Sequence, residues 1–216
     1  LLSTYTRQLA KGLDFYAGLD VRSYKGTHTS KISDLYNGAY YTDLRYRSSV
    51  NPANNAAALD PNWQYEKLSI GDVVCRDYDS HIVQHGVFSQ LEYSKDRITA
   101  FVSGTLATSR YWRYDRFYYD AAHAKSDKKN FASGSIKGGL NYNIDRYNNV
   151  FANVGYISRA PFFSGGVFLM SQSSNEINKD AVNEKAFSFE LCYGLRYKWL
   201  YVALNAYFTK WMDKTT

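Results

Sequence analysis

The sequence predicts an all-β protein, an antiparallel transmembrane β-barrel segment of about eight strands. Three observations carry that reading. Apolar residues recur at every second position over stretches of about ten residues, the length that crosses a bilayer at barrel tilt. The alternate positions hold small or charged residues, which an ordinary core would not accept. Connections between these stretches alternate between tight turns and long polar loops, the asymmetry of an outer-membrane barrel.

The clearest stretch runs from Asn149 to Phe208. Val150, Ala152, Val154 and Tyr156 share one strand face, and Asn153, Gly155 and Ile157 share the other. Further on, Phe187, Phe189, Leu191, Tyr193, Leu195 and Tyr197 form an apolar row, interleaved with Ser188, Glu190, Cys192, Gly194, Arg196 and Lys198. One face asks for lipid and the other for water, and a barrel wall supplies both.

The remaining elements follow in chain order. Leu1 to Leu9 alternates weakly and precedes a turn at Ala10-Lys-Gly12. Leu13, Phe15, Ala17, Leu19 and Val21 then alternate with Asp14, Tyr16, Gly18, Asp20 and Arg22. A long polar connection is expected from Ser23 to Ser80, broken by Asn51-Pro-Ala-Asn-Asn55 and Asp60-Pro-Asn62. So long a connection is rare unless it carries function. Strands are expected over Ile82 to Glu92 and Arg97 to Leu106, joined at Ser94-Lys-Asp96, and then a loop from Ser109 to Asn130. Ala132 to Asn143 is the next strand, turned back at Asp145 to Asn149. A loop from Arg159 to Asn183 leads to Glu184–Lys198, a tight turn at Lys198-Trp199, and a last strand to Phe208.

Composition narrows the function classes. The mean hydropathy of −0.46 underestimates membrane strands, which offer lipid only every second residue, and no run approaches the ~20 apolar residues of a membrane helix. Tyrosine is abundant, 21 residues against 12 Phe, and its amphipathic ring suits membrane-water interfaces as well as the wet loops of a soluble tyrosine-rich β protein. The net charge of +6 is spread among 20 acidic residues, and Asp115 and Asp120 dilute the basic-aromatic run Arg110 to Tyr119, so no nucleic-acid partner is expected. Cys75, expected in a loop, and Cys192, on an inner strand face, are too few for a disulfide framework and read as unrelated residues. Leu1 opens within an apparent strand and Trp211-Met-Asp-Lys-Thr-Thr216 ends where an outward loop should begin, so the chain reads as a piece of a larger protein.

Phe151-Ala-Asn-Val-Gly-Tyr-Ile-Ser-Arg-Ala-Pro-Phe-Phe163, Asn183-Glu-Lys185 and Ser188-Phe-Glu-Leu-Cys-Tyr-Gly-Leu-Arg196 resemble the C-terminal barrel half of TonB-dependent outer-membrane receptors. Gly18-Leu-Asp-Val-Arg22, with Tyr24 and His28, resembles an earlier barrel strand of the Bacteroidetes-type members. The resemblance spans nearly the whole chain, and the order and spacing of the motifs carry it. It implies that residues 1–216 are part of a plugged barrel of about 22 strands, with the plug domain outside this chain. It further implies an outer-membrane location and energy-coupled import of a scarce nutrient such as a chelated metal, cofactor or glycan. The partners it implies are outer-membrane lipid and lipopolysaccharide, the N-terminal plug and remaining strands, the TonB energy-coupling protein reached through the N-terminal region, and a surface lipoprotein.

Ligand recognition in that family comes from outward loops, which singles out Tyr111, Trp112, Arg113, Tyr114 and Arg116, and then Arg159, Phe162 and Phe163. Aromatic faces suit sugars or macrocycles and arginines suit carboxylates. The competing reading makes the same residues girdle aromatics and loop-packing groups. His81 and His85 share a strand face but stand about 13 Å apart, too far for one zinc ion. Asp77 and Asp79 beside His81 form a weak hard-cation candidate. His28 and His123 stand alone. No nucleophile elbow, H-E-x-x-H or phosphate-binding glycine loop occurs, so neither an enzyme nor a resident cofactor or metal is expected. Two rivals remain: a complete eight-stranded barrel acting as anchor or adhesin, and a barrel enzyme with His81 or His85 beside a rim serine. A closed small barrel commonly ends in a strand with a terminal aromatic, whereas this chain ends in Thr215-Thr216.

Overall fold

A computed structural model describes residues 1–214. Thr215 and Thr216, on which the contrast with a closed small barrel drew, lie outside the described residues. Eight strands form one antiparallel sheet in sequence order: β1 (Leu2–Ala10), β2 (Leu13–Lys31), β3 (Val73–Lys95), β4 (Ile98–Asp115), β5 (Lys129–Asn143), β6 (Asn148–Arg159), β7 (Glu184–Tyr197) and β8 (Leu200–Met212). Each strand pairs with its sequence neighbours, and the sheet is open, with β1 and β8 at its edges.

The tight connections all fall at one end. Lys11-Gly12 joins β1 to β2, and Gly12 has a positive φ of 75° with Ser94 pressed against it: an added Cβ would stand 2.1 Å from the Ser94 carbonyl oxygen. Only glycine satisfies both constraints. Asp96-Arg97 and Lys198-Trp199 are two-residue turns, with Asp96 and Lys198 at positive φ. Between β5 and β6, Asp145 Oδ1 accepts the backbone N–H groups of Tyr147 and Asn148, a side-chain mimic of a backbone turn. The long connections, residues 32–72, 116–128 and 160–183, all lie at the opposite end.

Two loop boundaries differ from expectation. The segment Ser23 to Ser80 is not one loop, because β2 continues to Lys31 and β3 already starts at Val73. Likewise β4 continues to Asp115 and β5 starts at Lys129, so the basic-aromatic run expected in a loop begins on a strand. In these extensions the apolar-polar alternation is lost while the backbone ladder persists, for example Thr27↔Asp79 and Ser80↔Arg113. Cys75 accordingly lies within β3, at positive φ beside a register shift opposite Thr29 and Lys31, and both cysteines are free.

Register sorts the side chains into two faces, because directly opposed residues of antiparallel strands point the same way. One row crosses the whole sheet as Ala10, Leu13, Tyr93, Ala100, Leu140, Ala152, Leu191 and Ala206. The next row on that face holds Phe15, Leu91, Val102, Gly138, Val154, Phe189 and Phe208, with Arg7 at the β1 edge. The opposite face reads Thr6, Tyr16, Gln90, Ser103, Lys137, Gly155, Ser188 and Thr209. On that polar face Phe101 lies down over Gly139, where an added Cβ would meet its ring at 2.4 Å.

Among the described residues no second layer covers the apolar face. Leu106 is 70% exposed, Ile136 59%, and Leu19, Val87, Leu140, Val154 and Leu191 are exposed with them. Along β4 this band runs from Ile98 to Leu106, about 26 Å of strand.

The buried core sits at the loop end. Val167 and Phe168, from the 160–183 connection, pack on Tyr111 and Phe131 of the polar face. A second cluster joins Val50 of the 32–72 connection to Phe117 and Tyr118 of the 116–128 connection. Above the apolar band, therefore, the polar face is the one that becomes dry.

Candidate functional site

The eight residues expected to meet ligand lie around the loop end, and the sheet divides them. On β4 the alternation sends Tyr111 and Arg113 to the polar face and Trp112 and Tyr114 to the face that carries the apolar band lower down.

Tyr111 is buried, with its ring edge-on to Phe131 at 5.8 Å, inside the cluster that seats Val167 and Phe168. Arg113 is fully buried and forms an ion pair with the equally buried Asp115. Its guanidinium lies 4.3 Å from the Tyr78 ring centroid, and one NH2 group donates to Asn175 Oδ1 at 2.8 Å. Its Nε has no partner among the described residues. Asp115 also accepts the backbone N–H groups of Phe117 and Tyr118, so one carboxylate organises the start of the 116–128 connection. Asn175 closes the group, donating to the Ala124 carbonyl through its side chain and to the Tyr119 hydroxyl through its backbone. Burial pushes the Tyr118 phenol up to about 12, so it stays neutral here.

Arg116 projects toward the other face. Its Nε and one terminal nitrogen bind the two oxygens of Asp77 at 2.9 and 2.6 Å, and its other terminal nitrogen binds Asp79 at 2.9 Å. Hydrogen bonds from Arg116 hold the Asp77 carboxyl below its usual range. At Asp79 burial opposes the charge, yet Arg116, Thr27 and Lys25 outweigh it and the carboxyl sits well below the ordinary value. These acids, considered above for a hard cation, are thus paired with Arg116, Asp79 also with Lys25, and lie on β3. Trp112 stacks on His81 with centroids 4.8 Å apart and planes within 4°, and the Lys128 ammonium stands 5.4 Å from the Trp112 ring.

At the root of the third connection, Arg159 is salt-bridged to Glu184 and lies 4.6 Å over the Phe162 ring. Phe162 is 58% exposed, whereas Phe163 packs against Phe168 at 4.8 Å. His28 stacks on Tyr78 at 4.7 Å, and His123 pairs with Asp120, whose carboxyl that contact lowers. No group of three or more His, Cys, Asp or Glu side chains capable of holding a metal ion occurs among the described residues.

Sequence reasoning gave no site role to Asn175, Glu184 or Lys128. Glu184 was legible in principle, since Arg159 and Glu184 face each other once β6 and β7 pair. Asn175 was not, because a loop residue's partners depend on a path that no periodicity encodes.

The fold defines an all-β protein built on one antiparallel meander with sorted connections. The chain matches no protein-family model and no curated protein sequence.

Proposed function

We propose that this chain is a section of the wall of an outer-membrane TonB-dependent receptor that imports a scarce nutrient, such as a chelated metal, cofactor or glycan. The single observation that carries the reading is the register-aligned apolar band, exposed on one face across eight strands, with a polar row behind it. In water so large an uncovered apolar surface is unfavourable, and hydrocarbon removes the penalty. Along β4 the band covers the nine residues from Ile98 to Leu106, within the roughly 9–11 residues that a tilted membrane strand takes. Both sheet edges carry unpaired backbone groups, which further strands of a larger barrel would satisfy. The resemblance of Phe151 to Phe163 and Ser188 to Arg196 to TonB-dependent receptors supplies the transport class.

In this reading the apolar face meets lipid, and the polar face lines a lumen shared with the plug and remaining strands. The three long connections face outward, where Phe162 offers ring surface to a ligand. An anchor or adhesin built from eight strands alone would instead join β1 to β8. Fractionation of cells making the full protein, with intact mass on the extracted species, tests the reading. The expected result is recovery in the outer membrane, a mass several-fold above 24.8 kDa, and nutrient-limited growth that requires both this protein and the energy-coupling protein. Recovery in the soluble fraction overturns the membrane assignment, and growth indifferent to the coupling protein overturns transport.

A further inference from the structure

Directly above the apolar band, on the same face, lies a groove of about 380 Å³ spanning β3, β4 and the start of β5. Val83, Thr108 and Ala132 lie along it, with His85, Arg110 and Lys128 beside them. The lining therefore holds an arginine, a lysine and a histidine and no carboxylate. Of the nearby acids, Asp77 and Asp79 are held by Arg116, and Asp79 also by Lys25 at 3.1 Å, while Asp127, next to Lys128 in the chain, does not line the groove. Arg110 Nε donates to Asn130 Oδ1 at 2.8 Å, which fixes the plane of the guanidinium. Lys128 is placed by Trp112, which is itself stacked on His81. Arg110 thus stands four residues along β4 from Leu106, with Thr108 between them, above the exposed apolar row Leu19, Val87 and Leu106, and Lys128 lies beyond it beside Trp112.

We propose that this groove binds the phosphate of an acylated membrane lipid headgroup. A phosphate oxygen accepts from Arg110 in a planar charge-assisted contact, and Lys128 supplies a second charge. Acyl chains then descend over Leu106, Val87 and Ile136, so one ligand satisfies both the cationic groove and the apolar wall beneath it. Charge complementarity and continuity with the band favour a lipid over a free anion, because only a ligand with acyl chains engages the groove and the wall beneath it together. The inference rests on the membrane reading above.

The test uses the full protein in detergent, with phosphatidic acid as probe and native mass spectrometry counting retained lipid. The expected result is retention of phosphatidic acid over phosphatidylcholine, reduced about tenfold in the Arg110→Gln/Lys128→Gln double variant, in keeping with the loss of charge-assisted contacts. Lys137→Gln, on the polar face, should retain the lipid as the parent does. Equal retention by the double variant overturns the site, as does no preference for phosphatidic acid in the parent protein. Displacement by inorganic phosphate at the same concentration as the lipid overturns the lipid as source. Partition of each form into pure phosphatidylcholine vesicles is scored in parallel. Failure of every form to partition sinks the membrane reading, whereas partition without headgroup preference sinks only the groove.

Discussion

The turn end and the loop end of this sheet use the same strands to opposite effect. Near the turns, Leu191, Leu140 and Val102 are exposed on one face while Lys137, Ser188 and Gln90 occupy the other. Near the loops the chemistry is exchanged: Asp79, His81 and Arg110 stand on the first face, and Tyr111, Phe131 and Arg113 are buried on the second. A strand in one uniform solvent has no reason to invert its faces partway along. The difference teaches that the first face changes from exposed apolar to charged at the level of Leu106, while loop packing decides the second.

The contrast can be broken most sharply at the loop end. Asp115→Ala leaves Arg113 buried without its counter-ion and should destabilise the loop assembly by about 3–5 kcal/mol. Limited proteolysis should then cut the 116–128 and 160–183 connections while the strand signal in circular dichroism persists. Simultaneous loss of both would mean that the two ends form one cooperative unit. At the turn end, Leu191→Arg on the apolar face should cost about 2–4 kcal/mol of assembly in lipid, and Ser188→Arg much less. Urea titrations in vesicles measure both, and equal costs would remove the distinction between the faces. Gly12→Ala combines positive φ with the Ser94 carbonyl and should cost about 1–3 kcal/mol by the same titration. If it is neutral, the turn has another accessible geometry.

The smallest effect is a pH dependence confined to the loop end. Asp77 and Asp79 are held below their unfolded values, so their pairing with Arg116 contributes in full above about pH 4 and is lost as the pH falls through the lower folded values. Protection of the chain near Arg116 from pepsin should therefore fade only in strong acid, and Arg116→Gln should bring that loss to higher pH. Fading already at pH 6 would exclude these carboxylates as its cause.

The two ends also differ in how much could be read beforehand. The number of strands, their order and the side of the short turns were legible, because alternation such as Phe187, Phe189, Leu191 is written by the contrast between two faces. Strand ends above the band were not. From Ser23 to Lys31 the chain remains paired with β3, yet Tyr24, Gly26 and His28 on one face and Lys25, Thr27 and Thr29 on the other give no apolar contrast. The same loss of contrast concealed the fact that Tyr111 to Tyr114 belong to a strand. Once they are placed there, spacing by two puts Arg113 and Asp115 on one face, and their ion pair follows. Arg116 reads as an exposed loop cation until β3 supplies Asp77 and Asp79 beside it.

Phe101 has a consequence at the other end of the scale from these ion pairs. Its ring fits into the space left by the missing side chain of Gly139 and shares it with Asn153 Oδ1, so a bulky residue adds almost no height to the polar face. Gly139→Ala would have to lift that ring away from the backbone and raise a hydrocarbon obstacle between Lys137 and Glu190. What glycine provides here is relief control: a polar face whose profile stays low, so that a neighbouring body could slide past it without catching.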